Sequence, residues 1–302
     1  MIIITDKPGQ LCNRLWAYSP FIAFCLKHNR RLRILHFDNY NHYFEDLDRY
    51  NNIKIGLFES PKSYRYFHRL IKIFQSFKFQ NITSRIQFHL HEKGDKPDLT
   101  GYLSKKKSLL ISKSWMKFPD QNIMDEYKDE IRKLFKPKQQ AVNEVHKVFE
   151  QHKHSDTVIS GIHIRRGDYK TFMDGRYYFS DEVYLKSMLN LRSQIKKETG
   201  KETIFFLSSD SPINTDNFNN LNTFQINSTS AIKDLYALSR CDYITGPPST
   251  FSMWASYYGD VPLRFITSKE DTIQLSDFSP IVAQNRFKNG NIFTHTPIHT
   301  EI

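Results

Sequence analysis

The segment His163-Ile164-Arg165-Arg166-Gly167-Asp168-Tyr169 closes an apolar stretch that starts at Thr157. Two arginines and a glycine at the end of a strand suit an oxyanion. A guanidinium offers a rigid fork of donors that matches phosphate oxygens in paired hydrogen bonds. The glycine lets the backbone turn sharply. Side chains alternate along a strand, so His163 and Arg165 share one side and Arg166 takes the other. On this reading Arg165 meets the ligand, Arg166 serves the fold and Asp168 braces the pair. The plainer readings are a surface arginine pair held by Asp168, and a satisfied buried histidine at His163.

A second feature suited to phosphate is Ser249-Thr250-Phe251-Ser252, at the start of a helix. The hydroxyls of Ser249, Thr250 and Ser252, with the free N–H groups of a helix N-terminus, suit phosphate oxygens. An ordinary cap by Ser249 or Thr250 explains the same residues. Asp210 follows an apolar strand and reads either as part of a ligand pocket or as a turn aspartate. Asp234 falls in a first helical turn, where the dipole favours an acid in any case. Asp174 follows the arginines in a loop beside Gly175. It is a carboxylate able to take a proton from an attacking hydroxyl, or a plain loop residue.

The elements that must position these groups read as two βαβ series. The first begins with a strand from Ile2 to Thr5, broken by Pro8-Gly9, and a helix over 13–27 that Pro20 should disturb. Leu32 to Phe37 is the next strand. Residues 61–79 form a basic amphipathic helix, 92–106 a loop and Leu109 to Ser112 a strand, with helices near 123–134 and 137–152. The second series starts at Thr157. Its strands are 157–164, 203–207, 223–226, 243–245 and 263–266, alternating with helices over 180–197, 231–240 and 250–258. Ser180 is the candidate N-cap and Gly200 the C-terminal stop of the first of these helices. Such alternation predicts a parallel sheet covered by helices, with the ligand at the carboxyl ends of its strands.

The run 163–169 closely resembles the first motif of the GT-B-fold fucosyltransferases of the α-1,2, α-1,6 and protein O-fucosyl types. Phe205-Phe206-Leu207-Ser208-Ser209-Asp210 is similar to their second motif. Asp234-Leu235-Tyr236-Ala237-Leu238-Ser239-Arg240-Cys241-Asp242, followed by Pro248-Ser249-Thr250-Phe251-Ser252-Met253-Trp254, resembles the third, in wording closest to the α-1,2 family. Gly9-Gln10-Leu11-Cys12-Asn13-Arg14-Leu15 is similar to the Gly-x-x-x-Asn-x loop of the same enzymes. The likeness touches about 9–18 and 157–260 and leaves 40–150 uncovered.

The resemblance implies an α/β, GT-B-like fold, with two Rossmann-like domains facing a central cleft. Residues 1–155 would be the acceptor-side domain and 156–302 the GDP-sugar-binding domain. It implies an inverting transfer of fucose from GDP-fucose to a glycan hydroxyl, α-1,2 to a galactoside. An α-1,6 or O-fucosyl linkage and another GDP-sugar stay open. Arg165 would bond the β-phosphate and stabilise the departing GDP, where charge develops. His163, Asp168, Asp210, Ser249, Thr250 and Ser252 would stand around the nucleotide, and Asp234 would contact the guanosine. Asn13 would orient the sugar or the acceptor hydroxyl, beside a Gly9 that permits close approach; a helix N-cap is its alternative. Asp174 would be the base. No cofactor is implied, and no DxD motif stands where a metal-dependent transferase would place one, so metal independence is expected.

The bulk properties bound the partners. The chain has 302 residues, 39% hydrophobic and 25% charged, which allows two packed domains. Its net charge of +11 fits nucleic acid, an anionic membrane or a phosphorylated small molecule. No recognition-helix, RNA-sheet or zinc-finger pattern accompanies the charge, so nucleic acid is the disfavoured class. The helix over 61–79 has three open readings: a solvated face, contact with an anionic membrane, or an anionic acceptor. Three cysteines without a CxxC pair suggest a reducing compartment. No run approaches the roughly 20 apolar residues of a membrane span. A cytoplasmic protein, with peripheral membrane contact open, is the expectation.

Overall fold

The structure, a computed structural model, describes residues 1–57, 66, 69, 86–90, 96–104, 108–115, 117, 122–226 and 230–282. They divide into two compact units, Met1–Lys136 and Pro137–Ile302. The helix Gln139–Glu150 therefore goes with the second unit, not with residues 1–155 as the sequence suggests.

The first unit carries a five-stranded, all-parallel sheet. Its strands are β1 (Ile2–Ile4), β2 (Leu32–Ile34), β3 (Ile53–Ile55), β4 (Ile86–His89) and β5 (Leu109–Ser112), in the order β3-β2-β1-β5-β4. Helix α1 (Leu11–Lys27) joins β1 to β2 and is buried almost all round, including Trp16, Tyr18 and Phe21. That burial holds the helix continuous through Pro20, where a kink was expected. Each large apolar side chain so buried contributes about 1.5–3 kcal/mol, enough to offset one missing helical hydrogen bond. Asp6, just past β1, ties down the loop after β5. Its carboxylate accepts from Ser114 N at 2.9 Å, Ser114 Oγ at 2.8 Å and Trp115 N at 3.2 Å. Short helices α2 (Leu99–Ser104), α3 (Ile123–Glu126) and α4 (Lys128–Leu134) follow. The first of them lies where the sequence suggested a loop. The basic helix expected over 61–79 lies outside the described residues, apart from the exposed Tyr66 and Arg69.

The second unit opens with α5 (Gln139–Glu150). Its strands are β6 (Thr157–Ile164), β7 (Glu202–Ser209), β8 (Thr223–Phe224), β9 (Tyr243–Gly246) and β10 (Leu263–Phe265). The sheet is again all parallel, in the order β10-β9-β6-β7-β8. The chain starts on the central strand, builds outward, then returns to the other side. The switch between β6 and β9 is where such sheets open a crevice for ligands. Helix α6 (Asp181–Thr199) covers one face, setting Tyr184, Met188, Leu191 and Ile195 against Ile162, Ile164, Phe205 and Leu207. It ends on Gly200 in the left-handed conformation (φ 71°), the expected stop. The other face is covered by α5 and α7 (Ala231–Leu238), where Phe149 meets Phe206 and Phe224. Helix α8 (Thr250–Gly259) connects β9 to β10.

Among the described residues no helix is long and apolar enough to cross a membrane. Cys12, Cys25 and Cys241 are buried free thiols.

Candidate active site

The alternation expected at the end of β6 is present. Ile162 and Ile164 enter the core beneath α6. Gly161 and His163 face the opposite side: a Cβ on Gly161 would meet Leu238, and the His163 ring stacks on Phe251 at 5.1 Å. Arg166 continues the α6 side. Its guanidinium donates to the Phe179 carbonyl and to Asp181, in the first turn of α6, and lies 5.3 Å over the Tyr184 ring. It locks the strand end to the helix that follows.

Arg165 continues the side of His163. It pairs with Asp168 at 2.8 Å and with Asp210 at 3.2 Å, and its guanidinium lies 5.4 Å over the Tyr169 ring. The two carboxylates differ. The Asp210 side chain is 22% exposed and also accepts the Arg166 N–H at 2.8 Å, so it is anchored. Asp168 is mostly exposed and can leave. Nε of Arg165 is buried without a hydrogen-bond partner. A guanidinium with one spare donor and one removable carboxylate is ready for a stronger anion.

His163 is held neutral. Burial, helped by the nearby Arg165 charge, pushes its pKa down to about 3. Its Nδ1 is buried and unpartnered.

The loop after β9 closes this side. Tyr169 donates its hydroxyl to the Pro248 carbonyl, tying the loop after β6 to the loop before α8. Ser249 caps α8, its Oγ accepting the Phe251 N–H at 3.2 Å. Replacing Ser249 by alanine leaves that N–H unpaired. About 1 kcal/mol of stability should be lost, seen as a lower midpoint of thermal unfolding. Thr250 is the first, half-buried residue of α8. Ser252, expected to line the site, is instead fully buried and donates to the Ser249 carbonyl at 3.2 Å. One turn into the helix its hydroxyl falls back on the cap.

Ser208, the register partner of His163, donates to Asp234 at 3.1 Å. Burial raises the Asp234 pKa to about 7, and the Ser208 bond only partly counters it. His163, Arg165, Asp168, Asp210, Asp234, Ser249 and Thr250 thus gather at the carboxyl ends of β6, β7 and β9. Asp174 follows in the exposed turn Phe172–Gly175, whose successive residues Met173, Asp174 and Gly175 all have left-handed backbone.

Gly9 and Asn13 belong to the first unit. Gly9 has φ +40°, and a Cβ there would lie 2.1 Å from Asn13 Nδ2, so the Asn13 amide packs directly over it. The N-cap of α1 is Gln10, which leaves Asn13 in the first turn. Tyr169, Ser208 and Gly246 were missed as site-forming residues. The Gly246-Pro247-Pro248 break between a strand and a helix was a legible signal for the last of them.

No curated protein matches the chain. Among solved structures, an Arabidopsis thaliana FUT1 variant in complex with GDP is similar with TM-score 0.56 and 13% identity, over 100% of this chain and 79% of that one. NodZ α-1,6-fucosyltransferase soaked with GDP-fucose is similar with TM-score 0.55 and 17% identity, over 93% of this chain and 98% of that one. NodZ from Bradyrhizobium with selenomethionine gives 0.53 and 17%, over 92% and 96%. At such identities the likeness speaks for the fold, which is GT-B. The model of glycosyl transferase family 11 matches residues 64–260, more than half of the chain and the whole run from the Arg165 motif to the end of α8. The chain therefore belongs to glycosyl transferase family 11.

Proposed function

We propose that the chain moves fucose from GDP-fucose to a glycan hydroxyl with inversion, forming an α-1,2 linkage to a galactoside. The setting of Arg165 carries this reading. When the bond from the anomeric carbon to the β-phosphate breaks, its electron pair passes to the diphosphate. Arg165 stands where that charge grows, with Asp168 free to give way and Asp210 fixing its position. Such aimed, preset donors are a large term in catalysis. No metal enters the step. The second unit takes the nucleotide sugar and the first the acceptor. Within the first unit, Gly9 and Asn13 are the proposed acceptor contacts; within the second, Asp174 is the proposed base. The α-1,2 linkage is supported by the Ser-Thr-Phe-Ser-x-Trp wording at 249–254.

Asp234 and Ser208 are the proposed guanosine contacts, which gives donor binding a pH dependence. With a pKa of about 7, the Asp234 carboxyl carries its proton below that pH and cannot accept two donors from the base. The KM for donor should rise as pH falls through 7 and flatten above it. Asp234→Asn should remove the dependence and keep KM high throughout. A wild-type KM that is level from pH 6 to 8 would refute the role.

The reading is tested with a donor panel scored by nucleotide release, with and without EDTA. GDP-fucose is expected to turn over, and EDTA to leave the rate unchanged. Equal use of GDP-mannose would overturn the sugar assignment.

A further inference from the structure

Arg14, on the first unit's α1, has no place in the reading above. Its side chain is 2% exposed, yet Nε and Nη1 have no hydrogen-bond partner. Among the described residues no carboxylate pairs with it. The guanidinium lies 4.7 Å over the Tyr40 ring, which softens but does not replace a counter-charge. A buried, unpaired cation is costly, and a native chain keeps one only where something compensates it.

The surroundings favour an anion. The Tyr40 oxygen accepts the backbone N–H of Leu11, the first residue of α1. Arg14 is therefore stacked on a ring that touches the positive end of a 17-residue helix. That end has no acid in its first turn and no side-chain cap on Gln10. Asp6, the acid nearest in sequence, is engaged by Ser114 and Trp115. The rim is open: Gly9 and Gln10 are exposed, and Asn13 and Tyr40 are partly so. All of this lies at the carboxyl edge of β1 and β2, where parallel sheets take ligands.

We propose that Arg14, with the first turn of α1 and Tyr40, forms an oxyanion site that reads a carboxylate or phosphate on a ligand. In the transferase, that ligand is an acidic sugar of the acceptor. Only this last identification rests on the proposed function. The site itself is measured by binding, without turnover, so a wrong donor or linkage leaves the test intact.

The test titrates the full chain with methyl β-galactoside, methyl β-galacturonide, inorganic phosphate and GDP. The wild type, Arg14→Lys and Arg14→Met are compared by calorimetry. The wild type should bind the galacturonide about tenfold more tightly than the galactoside. Phosphate should compete with the galacturonide. Arg14→Met should abolish the preference and Arg14→Lys retain part of it, with GDP affinity unchanged in both. Arg14→Met should also melt no lower than wild type, because an unpaired buried charge is removed. A wild type indifferent to the carboxylate and to phosphate, or an Arg14→Met protein that keeps the preference, would overturn the proposal. An Arg14→Met protein that binds GDP more weakly while keeping its affinity for the galacturonide would also overturn it. Should Arg14→Met fail to fold, the wild-type comparison alone decides.

Discussion

Replacing Arg165 by alanine is expected to lower kcat by roughly 10²–10³-fold, the usual cost of deleting one donor aimed at developing charge. The fold should survive. Asp210 keeps its bond to the Arg166 N–H, Arg166 keeps its hold on α6, and Asp168 is already exposed. Circular dichroism and thermal unfolding should therefore match the wild type closely. Arg165→Lys retains a charge but not the fork, so it should recover only part of the rate. GDP affinity should fall with the alanine change, because the diphosphate loses its partner. A protein with Arg165→Ala that binds GDP and turns over normally would show that the phosphate is held elsewhere.

The second large effect is expected at Gly246, the last residue of β9. A Cβ there would lie 2.3 Å from the His163 carbonyl oxygen and 3.1 Å from its carbon. Both are backbone atoms, so no side chain can swing aside. The ends of β6 and β9 must separate at the switch point that positions His163, Arg165 and Ser249. Gly246→Ala should destabilise the chain by about 1–3 kcal/mol, as overpacking in a tight interior does. Each kcal/mol lowers the unfolding midpoint by about 2–4 °C for a chain of this class. Donor turnover should fall as well, since the strand ends carry the site. Gly200→Ala is the matching control. It has φ +71° but meets nothing within 4 Å, and lies at the far end of α6. It should cost stability through backbone strain and leave the rate of the folded enzyme alone. Equal losses of turnover in both variants would mean that Gly246 matters only to stability.

Much of the second unit was legible because its signals are local. The apolar run into Arg165-Arg166 marks a strand end, and the period of two already separates the arginine that meets the site from the one that holds α6. Gly200 announces the end of α6, and Ser249 the start of α8. The features that escaped depend on residues distant in sequence. Tyr169 reaches Pro248 across 79 positions, Ser208 meets Asp234 across 26, and Gly246 matters only because β9 lies beside β6. Burial explains other differences. Ser252 reads as an N-terminal hydroxyl but is drawn back onto the cap. Pro20 reads as a break, but the packing around α1 overrides it. Helix α5 joins the second unit because Phe149 packs on Phe206 and Phe224, a pairing that no boundary signal near Pro137 reveals.

The central claim is the transfer of fucose from GDP-fucose onto a galactoside, and one incubation tests it directly. Wild-type protein is mixed with GDP-fucose and a methyl β-galactoside, and the products are read by proton NMR. GDP and a single new disaccharide are expected, with α-fucose on the 2-hydroxyl of galactose. Retention of the donor's anomeric configuration, or no fucosylated product from any galactoside while another GDP-sugar is consumed, would contradict the claim.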